Sequence, residues 1–186
     1  MNDSVLYGID GICQVTRVTT KIIDGNPEEY YVLHPVGQET TTIYVPMANE
    51  ALVSRMHRLL SVDEVLELIR SIPEEETIWI ENDLIRRITY GQILLGDDRR
   101  ELLRLIKTLF LRAQSLKHGK RKMHAADEKI MKEAEKRLYD EFAHVLQIEP
   151  DQVLPFIMNM IGEPEDALQS SRSGAPYKRI EQGRIS

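Results

Sequence analysis

One change of rhythm governs what this chain can fold into. Up to about residue 48 the apolar residues fall in short β-branched and aromatic runs, and from about residue 61 they recur every three to four positions. A period near two belongs to strands and one near 3.6 to helices. The expected fold class is therefore α+β, a small, strongly bent sheet or barrel followed by an all-α helical bundle. Strands are expected at Val5–Tyr7, Ile12–Val18, Thr19–Ile23, Tyr30–Leu33 and Thr40–Val45. Gly8, Gly11, Asp24-Gly25-Asn26-Pro27 and Pro35–Gly37 punctuate them, with Asp24-Gly25 at the tip of a hairpin with a somewhat long loop.

The helical part opens at Ser61-Val62-Asp63-Glu64, a serine three residues before an acid, which is the pattern of a capping box. Val62, Val65, Leu66 and Ile69 mark one face, and Pro73 with Glu74-Glu75-Glu76 closes that helix and forms an acidic linker. Further helices are expected at 82–95, 98–117, 127–146 and 151–161, separated by Gly96-Asp97 and His118-Gly119-Lys120. The division that follows is 1–60 for the β module, 61–168 for the helical domain and 169–186 for a polar Ser/Gly/Arg-rich tail, expected to be flexible.

Charge is unevenly spread. The chain of 186 residues carries a net charge of −6, yet residues 84–124 hold 11 basic and 3 acidic side chains, net +8. Screening confines each field to about a Debye length, so a local cluster decides whether a phosphate backbone is attracted. In helix 98–117, Leu102, Leu105, Ile106, Leu109, Phe110, Ala113 and Leu116 share one arc, with Arg100, Arg104 and Lys107 on the opposite one. Three like charges so spaced repel one another. They form either a solvated face or, with Arg86, Arg87, Arg112, Lys117 and the run Lys120-Arg121-Lys122, a phosphate-binding patch. No base-reading module accompanies them, so the expected grip is on phosphates. Trp79 is either a packing residue or an apolar wedge against a distorted base step.

In the β module, alternation puts Tyr30 and Tyr31 on opposite faces. These tyrosines and Tyr44 either pack the sheet or set register for a partner's strand added at its edge. Pro46 ends the last expected strand and removes a donor, as suits a managed edge.

Signals for catalysis are missing. His34, His57, His118, His124 and His144 form no i, i+4 ligand pair, and one cysteine, Cys13, builds neither a common zinc site nor an internal disulfide. Gly8-Ile9-Asp10-Gly11 is neither a phosphate loop nor a dinucleotide fingerprint. The expectation is a protein that is not an enzyme, with no metal, cofactor or small-molecule substrate. No run approaches the roughly 20 apolar residues of a membrane span, and Met1-Asn2-Asp3-Ser4 does not open a signal peptide. A cytoplasmic location without a membrane partner is expected.

The order of several short pieces is familiar. Tyr7-Gly8-Ile9-Asp10-Gly11, Glu29-Tyr30-Tyr31-Val32-Leu33, Ile43-Tyr44-Val45-Pro46, Leu95-Gly96-Asp97 and the spacing Ala134…Leu138…Glu141 span about 140 residues. In this order the chain resembles CarD/CdnL-type bacterial transcription regulators, whose N-terminal module is similar to the RNA-polymerase-interacting domain of transcription-repair coupling factor. The resemblance implies a Tudor-like β module that docks on the RNA polymerase β subunit by strand pairing. It also implies a helical domain that touches promoter DNA at the upstream edge of the melted region and stabilises the open complex. It places polymerase contacts at Lys21 and Tyr44, and DNA contacts at Lys107, Arg112 and Lys129, the last beside Glu128 where the family has a second basic residue. The family's wedge tryptophan falls at Asn82, whereas Trp79 stands three residues earlier. The candidate contact residues are Lys21, Tyr31, Tyr44 and Pro46 for polymerase. For DNA they are Trp79, Arg86, Arg87, Arg100, Arg104, Lys107, Arg112, Lys120, Arg121, Lys122 and Lys129. The rival reading is a protein-binding adaptor whose basic face meets an acidic partner, without DNA contact.

Overall fold

A computed structural model describes residues 3–38 and 40–162. The expected tail, 169–186, and the last residues of the expected helical domain lie outside the described residues. Five antiparallel strands form one curled sheet: β1 (Asp3–Tyr7), β2 (Gly11–Ile23), β3 (Asn26–Pro35), β4 (Ile43–Pro46) and β5 (Met56–Arg58). Their spatial order is β4-β3-β2-β1-β5, with a single-turn helix α1 (Glu50–Val53) between β4 and β5. The α+β class and the Tudor-like module stand.

Several strand details differ from the expectation, each for a local reason. Ile12–Val18 and Thr19–Ile23 are one strand, because a register shift between Val15 and Arg17 absorbs one residue instead of ending the ladder. The Thr16 hydroxyl donates to the Val32 carbonyl at 3.2 Å at that point. The hairpin loop is two residues, not a long one: Asp24 and Gly25 take φ of +50° and +82°, both left-handed as a tight primed turn demands. The last expected strand starts at Ile43 rather than Thr40. Strand β5 had no sequence signal, since Met56-His57-Arg58 is too short to show alternation and gains its conformation by pairing with β1.

Tyr7, Cys13, Val15, Leu33 and Val45 form the small core of the sheet, with Tyr31, Ile43, Leu52 and Met56 packed on it. Burial, followed by the nearby Asp10, pushes the Cys13 thiol up to about 11.

The helical part consists of α2 (Val62–Ser71), α3 (Asp83–Leu95), α4 (Arg99–His118), α5 (Ala125–Leu146) and α6 (Val153–Ile161). The capping box at α2 is present, with the Ser61 side chain accepting from the Glu64 backbone and Glu64 accepting from the Ser61 backbone. Asn82 and Asp98 cap α3 and α4 through their side chains. A second, larger core joins Val65 and Ile69 of α2, Tyr90 of α3, Leu105 and Leu109 of α4, Leu138 and Phe142 of α5, and Val153 and Ile157 of α6. Val62, expected on the buried face of α2, is exposed because it occupies the first helical position, clear of the core.

Polar side chains stitch the sheet to the helices. Glu141 on α5 is only 1% exposed. It accepts from the Leu60 backbone N–H at 3.1 Å and from Arg99 Nε at 3.2 Å, while Arg99 also donates to the Arg58 carbonyl at 3.1 Å. His57 Nδ1 lies 3.3 Å from Asp97. At the β5 edge the Arg58 carbonyl and the His57 side chain are thus engaged by the helical part.

Candidate docking edge and basic face

Strand β4 is the other end of the sheet, and no strand pairs with its outer side among the described residues. It is four residues long, and Pro46 at its end lacks an N–H. The register pairs Tyr30 with Pro46 and Val32 with Tyr44, so Tyr30 and Tyr44 share the outer face. Lys21 reaches them from β2. Its ammonium sits 3.1 Å from the Tyr44 ring centroid and 5.7 Å from that of Tyr30, and the two rings meet edge to face at 6.5 Å. The Tyr30 hydroxyl donates to Glu28 at 2.7 Å, and that bond holds its proton on, above the usual phenol range. Lys21, Tyr44 and Pro46 therefore gather at one edge. Tyr31 faces the other way, into the module's own core.

The basic residues are not gathered in the same manner. Arg86 is 3% exposed. It forms a paired bridge to Asp127, with Nε and Nη2 each donating at 3.1 Å, and further donates to Asp83 at 2.6 Å and to the Ile80 carbonyl at 2.7 Å. Its donation to Asp127 raises its already high pKa, and in return Arg86 holds the Asp83 carboxyl down. Both Arg86 and Arg112 lay their guanidinium carbons over the Trp79 ring, at 4.4 and 4.5 Å. Trp79 packs against the large core, and its Nε1 and Arg112 Nε are buried without a hydrogen-bond partner among the described residues.

On α4, Arg100 Nε donates to Glu75 at 2.5 Å, and Arg104 lies 3.8 Å from both Glu75 and Glu101 and donates to the Glu76 carbonyl. Lys107 uses its ammonium on three carbonyls, those of Ile72 and Glu75 at 2.7 Å and of Pro73 at 3.1 Å. The acidic linker has folded back onto the face that lay opposite the apolar arc. A lysine satisfying carbonyls at the end of a preceding helix is a structural cap. Lys129 makes an exposed i, i+4 pair with Glu133, and Glu128 does the same with Lys132.

A different set remains open. Arg87, Lys117, Lys120, Arg121 and Lys122 are exposed and make no side-chain hydrogen bond or ion pair among the described residues. Four of them cluster at the end of α4. There the Arg121 N–H bonds to the Leu116 carbonyl and the Lys120 N–H to the Lys117 carbonyl, a helix-ending motif whose left-handed position usually belongs to glycine. Lys120 occupies it at φ +56°, with Gly119 one residue too early. Sequence reasoning included most of these residues but had no means to separate them from the engaged ones, since pairing depends on where residues 72–76 fold. It missed Glu75 and Asp127, buried acids whose only signal is their place in polar-looking segments.

Among the described residues no group of three or more His, Cys, Asp and Glu could hold a metal ion, and no helix is long and apolar enough to cross a membrane.

A curled sheet with an unpaired end strand and an aromatic–lysine cluster beside it offers the surface of a small protein-interaction module. Residues 1–57 match the family model described as CarD-like/TRCF RID domain. The N-terminal module, residues 1–57, is thus similar to the domain that CarD-like proteins and TRCF share, a domain tied to RNA polymerase interaction and to transcription. Residues 58–186 lie outside the match. No curated protein matches the chain.

Proposed function

We propose that the chain is a non-enzymatic transcription regulator. Residues 1–60 bind the RNA polymerase β subunit through the β4 edge, and the helical domain contacts promoter DNA and stabilises the open complex. The observation that carries this reading is the open β4 edge in the module that matches the RNA-polymerase-interacting family. An added strand would extend β4-β3-β2-β1-β5 by main-chain pairing, with Lys21 and Tyr44 setting its register.

DNA contact falls to the open cations Arg87, Lys117, Lys120, Arg121 and Lys122. A lysine held in a left-handed conformation costs about 1 kcal/mol that glycine would avoid, which favours a use for its charge. A few phosphate contacts give weak, salt-sensitive affinity, roughly 10⁻⁴ to 10⁻⁶ M. Docking on polymerase raises the local concentration of the cations to about the millimolar range, enough to make them effective. They favour melted promoter only by binding it better than closed duplex.

The test is co-purification of the full chain with the isolated β-subunit lobe. Lys21→Glu should weaken it at least about tenfold, and full retention with Lys21→Glu and Pro46→Ser combined would contradict docking at this edge. The neutralisation of Arg100, Arg104 and Lys107 within the chain takes them out of both readings, the bridge to DNA and the adaptor whose basic face meets an acidic partner. Titrating DNA affinity against salt separates the two: the bridge loses affinity steeply, whereas the adaptor has no DNA affinity to lose.

A further inference from the structure

Helix α3 is apolar on two opposite sides. One side, with Tyr90 buried and Ile93 and Leu94 packed on the large core, faces inward. On the other, Leu84, Ile88 and Leu95 are 68%, 55% and 81% exposed, with Ile85 beside them. At about 100° per residue, Leu84, Ile88, Gly91 and Leu95 fall within an arc of about 60°, opposite the buried side. A helix that is apolar all round is normally covered all round.

Gly91 stands in the middle of this exposed stripe. A glycine inside a helix is less favourable than almost any alternative, so it normally answers to a steric need. Nothing inside the chain supplies one: a Cβ built on Gly91 has no atom within 4 Å among the described residues. A small residue at the centre of an apolar stripe lets another helix approach closely.

Charge indicates which helix. Helices α3 and α4 pack together and are joined by only three residues, so they run antiparallel. The start of α3 therefore lies by the end of α4, and one end of the pair carries Arg87, Lys117, Lys120, Arg121 and Lys122. At the other end Arg99 and Arg100 are engaged by Glu141 and Glu75, which leaves the exposed carboxylates of Asp97, beside His57, and of Asp98, the cap of α4, without a lysine or arginine partner. A second α3 laid antiparallel across the first sets the cationic end of each chain over the acidic end of the other, twice by symmetry. It also opposes the two helix dipoles.

We propose that this stripe is a self-association surface, on which a second copy of the chain packs its own α3 antiparallel, with the crossing at Gly91. Four apolar side chains on each copy offer roughly 400 Å² per copy, below the usual size of a stable interface, so the dimer is weak and forms with rising concentration, in about the micromolar range or above.

Sedimentation velocity of the full chain from about 1 to 500 μM tests this. The wild type should pass from monomer toward dimer across that range, and Ile88→Glu should stay monomeric with an unchanged melting temperature; Leu95→Glu, at a still more exposed position, repeats the test should the first variant fold poorly. Gly91→Leu should move two readouts in opposite directions. Better helix propensity in open space raises the melting temperature by about 2–4 °C, while association weakens at least about tenfold. A wild type that stays monomeric throughout overturns the proposal, and so does a glutamate variant that dimerises like the wild type. Association of Gly91→Leu as tight as the wild type overturns the close crossing.

Discussion

At the start of α4, Arg100, Arg104 and Lys107 lie against Glu75 and the carbonyls of residues 72–76; at its end, Lys117, Lys120, Arg121 and Lys122 meet no acid among the described residues. Both groups contribute to the same +8 window, and in sequence nothing distinguishes them. The difference is reach. The segment that follows α2 passes the first half of the helix and delivers its acid and carbonyls there, whereas the last turn projects beyond it. Net charge over a window measures what a chain owns; the path of its nearest acidic segment decides what it can offer to a partner.

The comparison breaks first at Arg86. If this arginine is internal, Arg86→Ala strands Asp127, itself 2% exposed, and unfolding free energy should fall by about 3–5 kcal/mol in denaturant titration. A surface role would leave stability within about 0.5 kcal/mol. The opposite pattern is expected at the far end: Lys120→Glu, Arg121→Glu and Lys122→Glu together should leave stability nearly unchanged. They should lower DNA affinity at least about 100-fold at 50 mM salt and flatten its salt dependence by about 0.9 for each phosphate that is no longer neutralised, read by fluorescence anisotropy. An unaltered affinity would remove the free end of α4 from any role in DNA binding. Lys107→Met sharpens the contrast within one helix. It keeps the aliphatic stem and removes the three carbonyl bonds, so stability should drop by about 1.5–3 kcal/mol while DNA affinity changes less than about twofold.

The smallest effect concerns pH. The Arg58 guanidinium, with the Ser61 backbone N–H, holds the Glu64 carboxyl down at about 2. Unfolded, that carboxyl titrates in the ordinary range near 4.3. The arrangement therefore stabilises the fold above about pH 4.5, and the contribution fades as pH falls from there toward 2. Arg58→Gln should shallow that part of the melting-temperature profile and leave the neutral region nearly flat.

The layout was legible in sequence wherever a local rule suffices. The switch of period located most strands and the helices, and the capping box expected at Ser61 is present. Strand β5 was not legible, because three residues carry no period and its conformation comes from pairing with β1. Nor was the role of Arg86, since Asp127 lies 41 residues away and their bridge depends on how α3 meets α5. At the docking edge, Lys21 and Tyr44 could be singled out, but their ring contact depends on the bulge that brings β2 and β3 into register. Tyr31 shows the limit of alternation, which tells that two tyrosines face apart without telling which one faces outward.

The seam formed by Glu141, Arg99 and β5 has a consequence for stoichiometry. A sheet with two bare margins can hand the same pattern onward from chain to chain and grow into a filament. Here side chains of the helical part engage the β5 margin, so the proposed docking leaves β4 as the one margin for a visiting strand. On that proposal each copy takes one such guest and passes no ladder onward.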